Sequence, residues 1–182
     1  MEPLSGTFET YTSNNSALLE NNVTSLCWVD DNTLFFGTAS QGVGTMDMRT
    51  REIKKIQGQS DSMKLSNDAV NHVYKDSRGL VWIATREGLN VYDTRRHMFL
   101  DLFPVAEAKG NFIAAITEDQ ERNMWVSTSR KVIRVTVASD GKGSYLFDSR
   151  AYNSEDGLQN CDFNQRCLLY TSPSPRDPKT SR

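Results

Sequence analysis

Two histidines, three cysteines and a recurring aspartate are the residues of this 182-residue chain whose types could do chemistry. His72 and His97 stand 25 positions apart and lack the short spacing that sets two imidazoles on one metal. Each reads as a packed or solvated side chain. Cys27, Cys161 and Cys167 have neither metal-ligand spacing nor a paired framework, so they do not fix a redox compartment. Asp30, Asp31, Asp76 and Asp119 each precede a turn, which is the position of a capping carboxylate and not of an acid–base pair. No Gly-rich phosphate loop and no nucleophile elbow occurs. The sequence therefore assigns no catalytic, cofactor-binding or metal-binding residue, expects no cofactor, and leaves the ligand-binding residues open. The basic stretch Arg49–Lys55 fits the defence of a sheet edge better than a ligand patch. Asn22-Val-Thr24 is formally a glycosylation sequon, but it stands at a strand entry and reads as chance.

Composition narrows the class. Twenty-one basic and 23 acidic residues give a net charge of -2. That balance argues against nucleic acid as a partner, which would call for a basic stripe, and against a polybasic membrane anchor. No apolar run approaches the roughly 20 residues of a membrane span. Residues 1–20 lack the basic start and apolar run of a secretory leader.

The elements that must position these residues come from an internal repeat. Val23, Val70 and Ile113 occupy one position of it; Leu26, Val73 and Ile116 occupy a second. Phe35, Trp82 and Trp125 share a third, and Thr38, Thr85 and Thr128 a fourth. The threonines stand 47 and 43 positions apart. A unit of about 40–50 residues made of short strands is the period of a propeller blade. Copies span about 18–60, 65–104 and 111–150, with a partial one from 157. The fold class expected is all-β: a β-propeller fragment of four-stranded antiparallel blades, over residues 1–166.

The second copy shows why these residues form strands. Val70–Tyr74 alternates apolar and polar, as a half-buried strand does. Asp76-Ser-Arg-Gly79 has Asp first and Gly fourth, which suits a type I turn. Leu80–Ala84 is apolar throughout, the pattern of a strand covered on both faces. Leu89–Tyr92 and Met98–Asp101 complete the sheet, and Tyr145–Tyr152 supplies an outer strand for the third copy. Phe8–Tyr11 is expected to be the outer strand of an earlier blade. Phe35, Trp82 and Trp125 are expected at equal depth in the wedges between blades, where large rings fill the gap. Trp28 falls outside that set and is expected to be partly exposed. Ala106–Lys109 is too short for a stable helix. Three blades alone would leave two open flanks, so the isolated piece is expected to be poorly soluble.

After Arg166 the pattern stops. Residues 167–182 open with Cys-Leu-Leu-Tyr-Thr-Ser-Pro-Ser-Pro-Arg-Asp, which resembles one translated frame of a sequencing-library adapter. They are expected to be a non-native tail, with no place in the fold.

The best copy contains Leu65-Ser-Asn67, Val70, Asp76-Ser-Arg-Gly79, Trp82-Ile-Ala-Thr85 and Gly88-Leu89. It resembles the two-component regulator propeller repeat. The first copy departs at Asn32 and Phe35-Phe-Gly-Thr38, the third at Arg122 and Lys131. The resemblance implies the ligand-sensing, periplasmic part of a bacterial signal-transduction protein acting in a phosphorelay. It implies a parent anchored in the inner membrane as a homodimer and carrying a histidine kinase. It also implies neighbouring propeller and β-sandwich domains, and an oligosaccharide or other small molecule as ligand. The fragment itself would not be an enzyme. Two alternatives stand beside this reading: a propeller enzyme of lyase or hydrolase type, and a WD-type protein-interaction scaffold.

Overall fold

Each repeat folds as one antiparallel sheet of four strands joined in chain order. The computed structural model describes residues 8–60, 63–102, 105–141 and 144–158. Blade 1 is β1 (Val23–Trp28), β2 (Thr33–Thr38), β3 (Val43–Asp47) and β4 (Ile53–Lys55). Blade 2 is β5 (Val70–Lys75), β6 (Leu80–Thr85), β7 (Gly88–Asp93) and β8 (Met98–Leu100). Blade 3 is β9 (Ile113–Glu118), β10 (Met124–Thr128), β11 (Val132–Ser139) and β12 (Tyr145–Tyr152). The only helical pieces among the described residues are 3-10 turns at Ala106–Ala108 and Ser154–Asp156. The chain is therefore an all-β array of propeller blades, with β1 lying against β5 and β5 against β9 along the inner side.

The wedges between blades hold the core. Phe35, Val43, Val70, Val73, Val81, Ile83, Tyr92 and Phe99 fill the first. Leu80, Trp82, Val91, Ile113, Ile116, Met124, Val126, Ile133, Val135 and Phe147 are among those filling the second. Strand β6 contributes to both, with Val81 and Ile83 facing blade 1 and Leu80, Trp82 and Ala84 facing blade 3. Its six residues are all buried, which is why its sequence shows no alternation. Each large ring in such a wedge stabilises the array by roughly 1.5–3 kcal/mol. Blade 1 approaches blade 2 so closely at Gly37 that a Cβ there would lie 2.4 Å from Val70 Cγ1.

Every inner strand carries a β-bulge at its second residue. Thr24, Asn71 and Ala114 are the extra residues, each falling between two registered pairs. A bulge turns the neighbouring side chains out of the ladder, and two of these turn toward the next blade. Ser25 Oγ accepts from Val73 N at 3.1 Å, and His72 Nδ1, at the matching position, accepts from Ile116 N at 3.3 Å. Asn71 Nδ2 donates to Ile113 O at 2.8 Å. These straps satisfy backbone groups along the unpaired inner edge, where no fifth strand can.

Two expectations need correction. Phe8–Tyr11 is not a strand: no strand occurs over residues 8–22, because no neighbouring sheet among the described residues pairs with it. Trp125 does not match Phe35 and Trp82 in depth. Those two are fully buried while Trp125 is half-buried, stacked on Tyr152 at 5.8 Å with no described blade over it. The partial copy from 157 and the tail at 167–182 lie almost wholly outside the described residues.

Candidate functional site

The recurring aspartates prove to do two jobs. Asp76 Oδ1 accepts from Arg78 N at 2.9 Å and Leu80 N at 2.8 Å, closing the β5–β6 turn. Its Oδ2 accepts from Trp82 Nε1 at 3.0 Å. Asp119 repeats the pattern, with Glu121 N and Asn123 N on Oδ1 and Trp125 Nε1 at 2.7 Å on Oδ2. The sequence showed the cap but not the indole latch, although the aspartate and tryptophan stand six positions apart both times. At the other end of the blades the buried threonines cap the second turn. Thr38, Thr85 and Thr128 each donate to a carbonyl across it: Gly42 at 2.8 Å, Gly88 at 2.8 Å and Lys131 at 3.2 Å.

Blade 1 breaks the latch. Asp30 Oδ1 accepts from Asn32 N and Thr33 N, both at 2.8 Å. Phe35 stands where the other blades have tryptophan, and it has no N–H to offer. The Asp30 carboxyl is exposed, and the Asn32 amide, opposed by slight burial and helped by Thr33 and Lys75, holds its pKa below the ordinary value. It is an ionised acceptor at neutral pH.

That carboxylate lies on a cleft of about 330 Å³ between blades 1 and 2. The lining includes the buried rings of Phe35 and Tyr92 at its base, the hydroxyl residues Thr33, Thr45 and Thr94, and the basic residues Lys54, Lys55 and His97. Burial pushes the Tyr92 phenol above its ordinary pKa, with the Asp93 charge adding to it. Lys54 is paired with Glu52 at 3.0 Å, both ends well exposed. His97 sits in the β7–β8 turn at φ 54°, the left-handed region, with its carbonyl taking Gln59 Nε2 at 3.1 Å. The fold thus joins part of the Arg49–Lys55 stretch to His97 and Asp30 in one place, a grouping that linear spacing does not show. His72 goes elsewhere, into the strap between blades 2 and 3. The cleft falls at the lower end of the ~300–1,000 Å³ usual for small-molecule sites. Its carboxylate, hydroxyls and ammonium groups can hold a small polyhydroxylated molecule by hydrogen bonds. Among the described residues no three His, Cys, Asp or Glu side chains are grouped to hold a metal ion.

Trp28 occupies the last position of β1, equivalent to Lys75 of β5 and Glu118 of β9. Both equivalents reach back to the preceding blade. Lys75 Nζ donates to Val29 O at 2.6 Å, and Glu118 accepts from Ser77 N at 2.8 Å and Ser77 Oγ at 2.7 Å. Arg78 reinforces the second contact at 3.2 Å from Glu118. The ring of Trp28, at the same position of blade 1, is exposed among the described residues.

Four-stranded sheets packed ring to sheet around a common inner edge define a β-propeller. The repeat points to its kind: residues 64–87, within blade 2 and its approach, match the model of the two component regulator propeller. The chain is similar in structure to the extracellular domain of BT3049 from B. thetaiotaomicron, named a hybrid two component system. The identity is 25%, the TM-score 0.64, and the match covers 87% of this chain and 20% of that one. The extracellular domain of BT4673 from the same organism, also named a hybrid two component system, gives 18% identity and a TM-score of 0.53. That match covers 81% of this chain and 23% of the other. Virginiamycin B lyase from Staphylococcus aureus shares the fold at 14% identity and a TM-score of 0.50, over 72% of this chain and 41% of the enzyme. No curated protein sequence matches this chain. The chain spans about a fifth of the length of the two extracellular domains. No helix among its described residues is long and apolar enough to cross a membrane.

Proposed function

We propose that these blades belong to the extracytoplasmic sensor of a bacterial two-component system and that they help to bind a saccharide. The observation that carries the reading is the regulator-propeller match at residues 64–87, within a fold shared at 25% identity with such a domain. The cleft beside Asp30 supplies groups suited to a polyhydroxylated ligand. In this reading the parent is an inner-membrane homodimer with its propellers in the periplasm, adjoining propeller and β-sandwich domains, and a histidine kinase behind the membrane. Binding at a blade junction would shift the dimer between two states by as much as the ligand prefers one of them.

Isothermal titration of the ectodomain containing these blades against a panel of neutral and acidic oligosaccharides tests the proposal. Saturable binding that weakens at least tenfold in Asp30→Asn or Thr45→Val supports a saccharide at the cleft. Binding that both variants leave intact moves the ligand to another site, and a panel with no binder removes the saccharide. A coding region downstream without a membrane helix and kinase would remove the two-component reading.

A further inference from the structure

Two internal junctions are strapped from one shared position by different chemistry. After the bulge of β1, Ser25 Oγ accepts from Val73 N at 3.1 Å; after the bulge of β5, His72 Nδ1 accepts from Ile116 N at 3.3 Å. Val73 and Ile116 are both buried, so each N–H depends on the preceding blade for its partner. A backbone N–H can only donate. His72 Nδ1 therefore keeps its lone pair, and Nε2 carries the proton of the neutral ring. Protonation at Nδ1 turns this acceptor into a donor that faces another donor, whereas a serine hydroxyl goes on accepting. His72 is half-buried, so protons from solvent can reach it.

We propose that His72 makes the junction of blades 2 and 3 acid-sensitive: its protonation releases Ile116 N, while the serine strap between blades 1 and 2 holds. Strands β1, β2, β6 and β9 pack against β5. Their titratable groups are Cys27 on β1 and Glu118 on β9, and β5 itself adds Tyr74 and Lys75. The Tyr74 ring lies 6.5 Å from His72, and burial followed by the Glu118 charge raises its pKa. Lys75 Nζ is held by Val29 O at 2.6 Å, and Glu118 is held by Ser77 and Arg78. The Cys27 thiol, raised to about 11 by burial, stays protonated. An imidazole changes charge between about pH 5 and 8. Because the neutral ring makes the strap, its contribution is present above that range and lost as pH falls through it. Asn71 Nδ2 still holds Ile113 O at 2.8 Å, so the blades loosen at the middle of β9 without parting.

The test is residue-resolved hydrogen exchange of the ectodomain containing these blades, corrected for the intrinsic pH dependence of exchange. Between about pH 7.5 and about pH 5 the protection of the Ile116 amide should fall at least tenfold, while that of Val73 changes less than about twofold. His72→Ser transplants the blade 1 acceptor and should keep Ile116 protected across the range. His72→Ala should leave it unprotected throughout. Where His72→Ser fails to fold, His72→Asn supplies a side-chain oxygen in its place. A parent whose Ile116 is equally protected at both ends of the range would overturn the proposal. So would an acid loss that the serine or asparagine variant shares, which would assign the titration to Glu118 or another group. Full protection of Ile116 in the alanine variant at the higher pH would show that no strap exists.

Discussion

Trp82 donates its indole N–H to Asp76 Oδ2 at 3.0 Å, and the same carboxylate closes the turn that begins the tryptophan's own strand. One buried side chain thus fixes both the turn geometry and the angle at which the ring enters the wedge. Asp119 and Trp125 make the same bond at 2.7 Å, but Trp125 is half-exposed. Removing the indole donor should therefore cost more in blade 2. Trp82→Phe leaves the buried Asp76 Oδ2 with only Arg78 Nη1, 3.5 Å away, and should cost about 2 kcal/mol, whereas in Trp125→Phe water can replace the donor at about 1 kcal/mol or less. Urea midpoints of the two variants decide the matter, and equal losses would show that burial does not govern the latch.

The repeat was legible because burial on two faces imposes residue type at fixed depth. Phe35 and Trp82, and the threonines that follow them, recur because each wedge needs the same ring and each turn the same hydroxyl. The straps were not legible. Ser25, His72 and Ala115 share a position but not a type, since serine and imidazole both accept one N–H and the third blade does without. The cleft was hidden for another reason. Its lining is brought together from residues as far apart as Val29 and His97, which no local spacing reveals. Phe8–Tyr11 misled because alternation makes a strand only when a neighbour supplies hydrogen bonds.

Thr85 offers a second test of buried polar order. Its hydroxyl donates to Gly88 O at 2.8 Å, takes Glu87 N at 3.2 Å, and lies 2.9 Å from Ser66 Oγ. Thr85→Val keeps the volume and strands these groups, so it should destabilise the chain by about 1–3 kcal/mol. Thr85→Ser should recover most of that loss in the same melts. A valine variant as stable as the parent would mean that packing alone holds the turn.

Cys27 faces the wedge between blades 1 and 2, and burial pushes its thiol from 9.0 up to about 11, with the Lys75 charge pulling only partly back. The thiol should stay protonated and react slowly with iodoacetamide near neutral pH, and readily once urea exposes it. Its linkage sign is fixed. Between pH 9.0 and about 11 the unfolded chain loses this proton before the folded one, so stability falls as pH rises through that window. Below pH 9.0 the contribution is constant. Peptide mapping of the labelled cysteine and melts of the parent against Cys27→Ala across that window check both statements. A slope unchanged in the alanine variant would assign it to other groups.

Arg51 and His97 hold matching places in the outer hairpins, four residues after Asp47 and Asp93, whose carboxylates cap the turns. Both residues adopt the left-handed region, at φ 64° and 54°. Blade 3 has Gly141 in its corresponding hairpin at φ 71°. A side chain in that region is strained by the contact of its Cβ with the following carbonyl, by about 1 kcal/mol. Glycine relieves the strain but adds freedom to the unfolded chain, so Arg51→Gly should gain about 0.5 kcal/mol net. Its ion pair with Glu9, 3.3 Å apart and exposed at both ends, subtracts little. Arg51→Ala isolates the ion pair, because it removes the charge while keeping the strain. The alanine variant should thus be no more stable than the parent, with the glycine variant melting highest of the three. Any other order would place the stability of this turn in the arginine's contacts and not in its backbone.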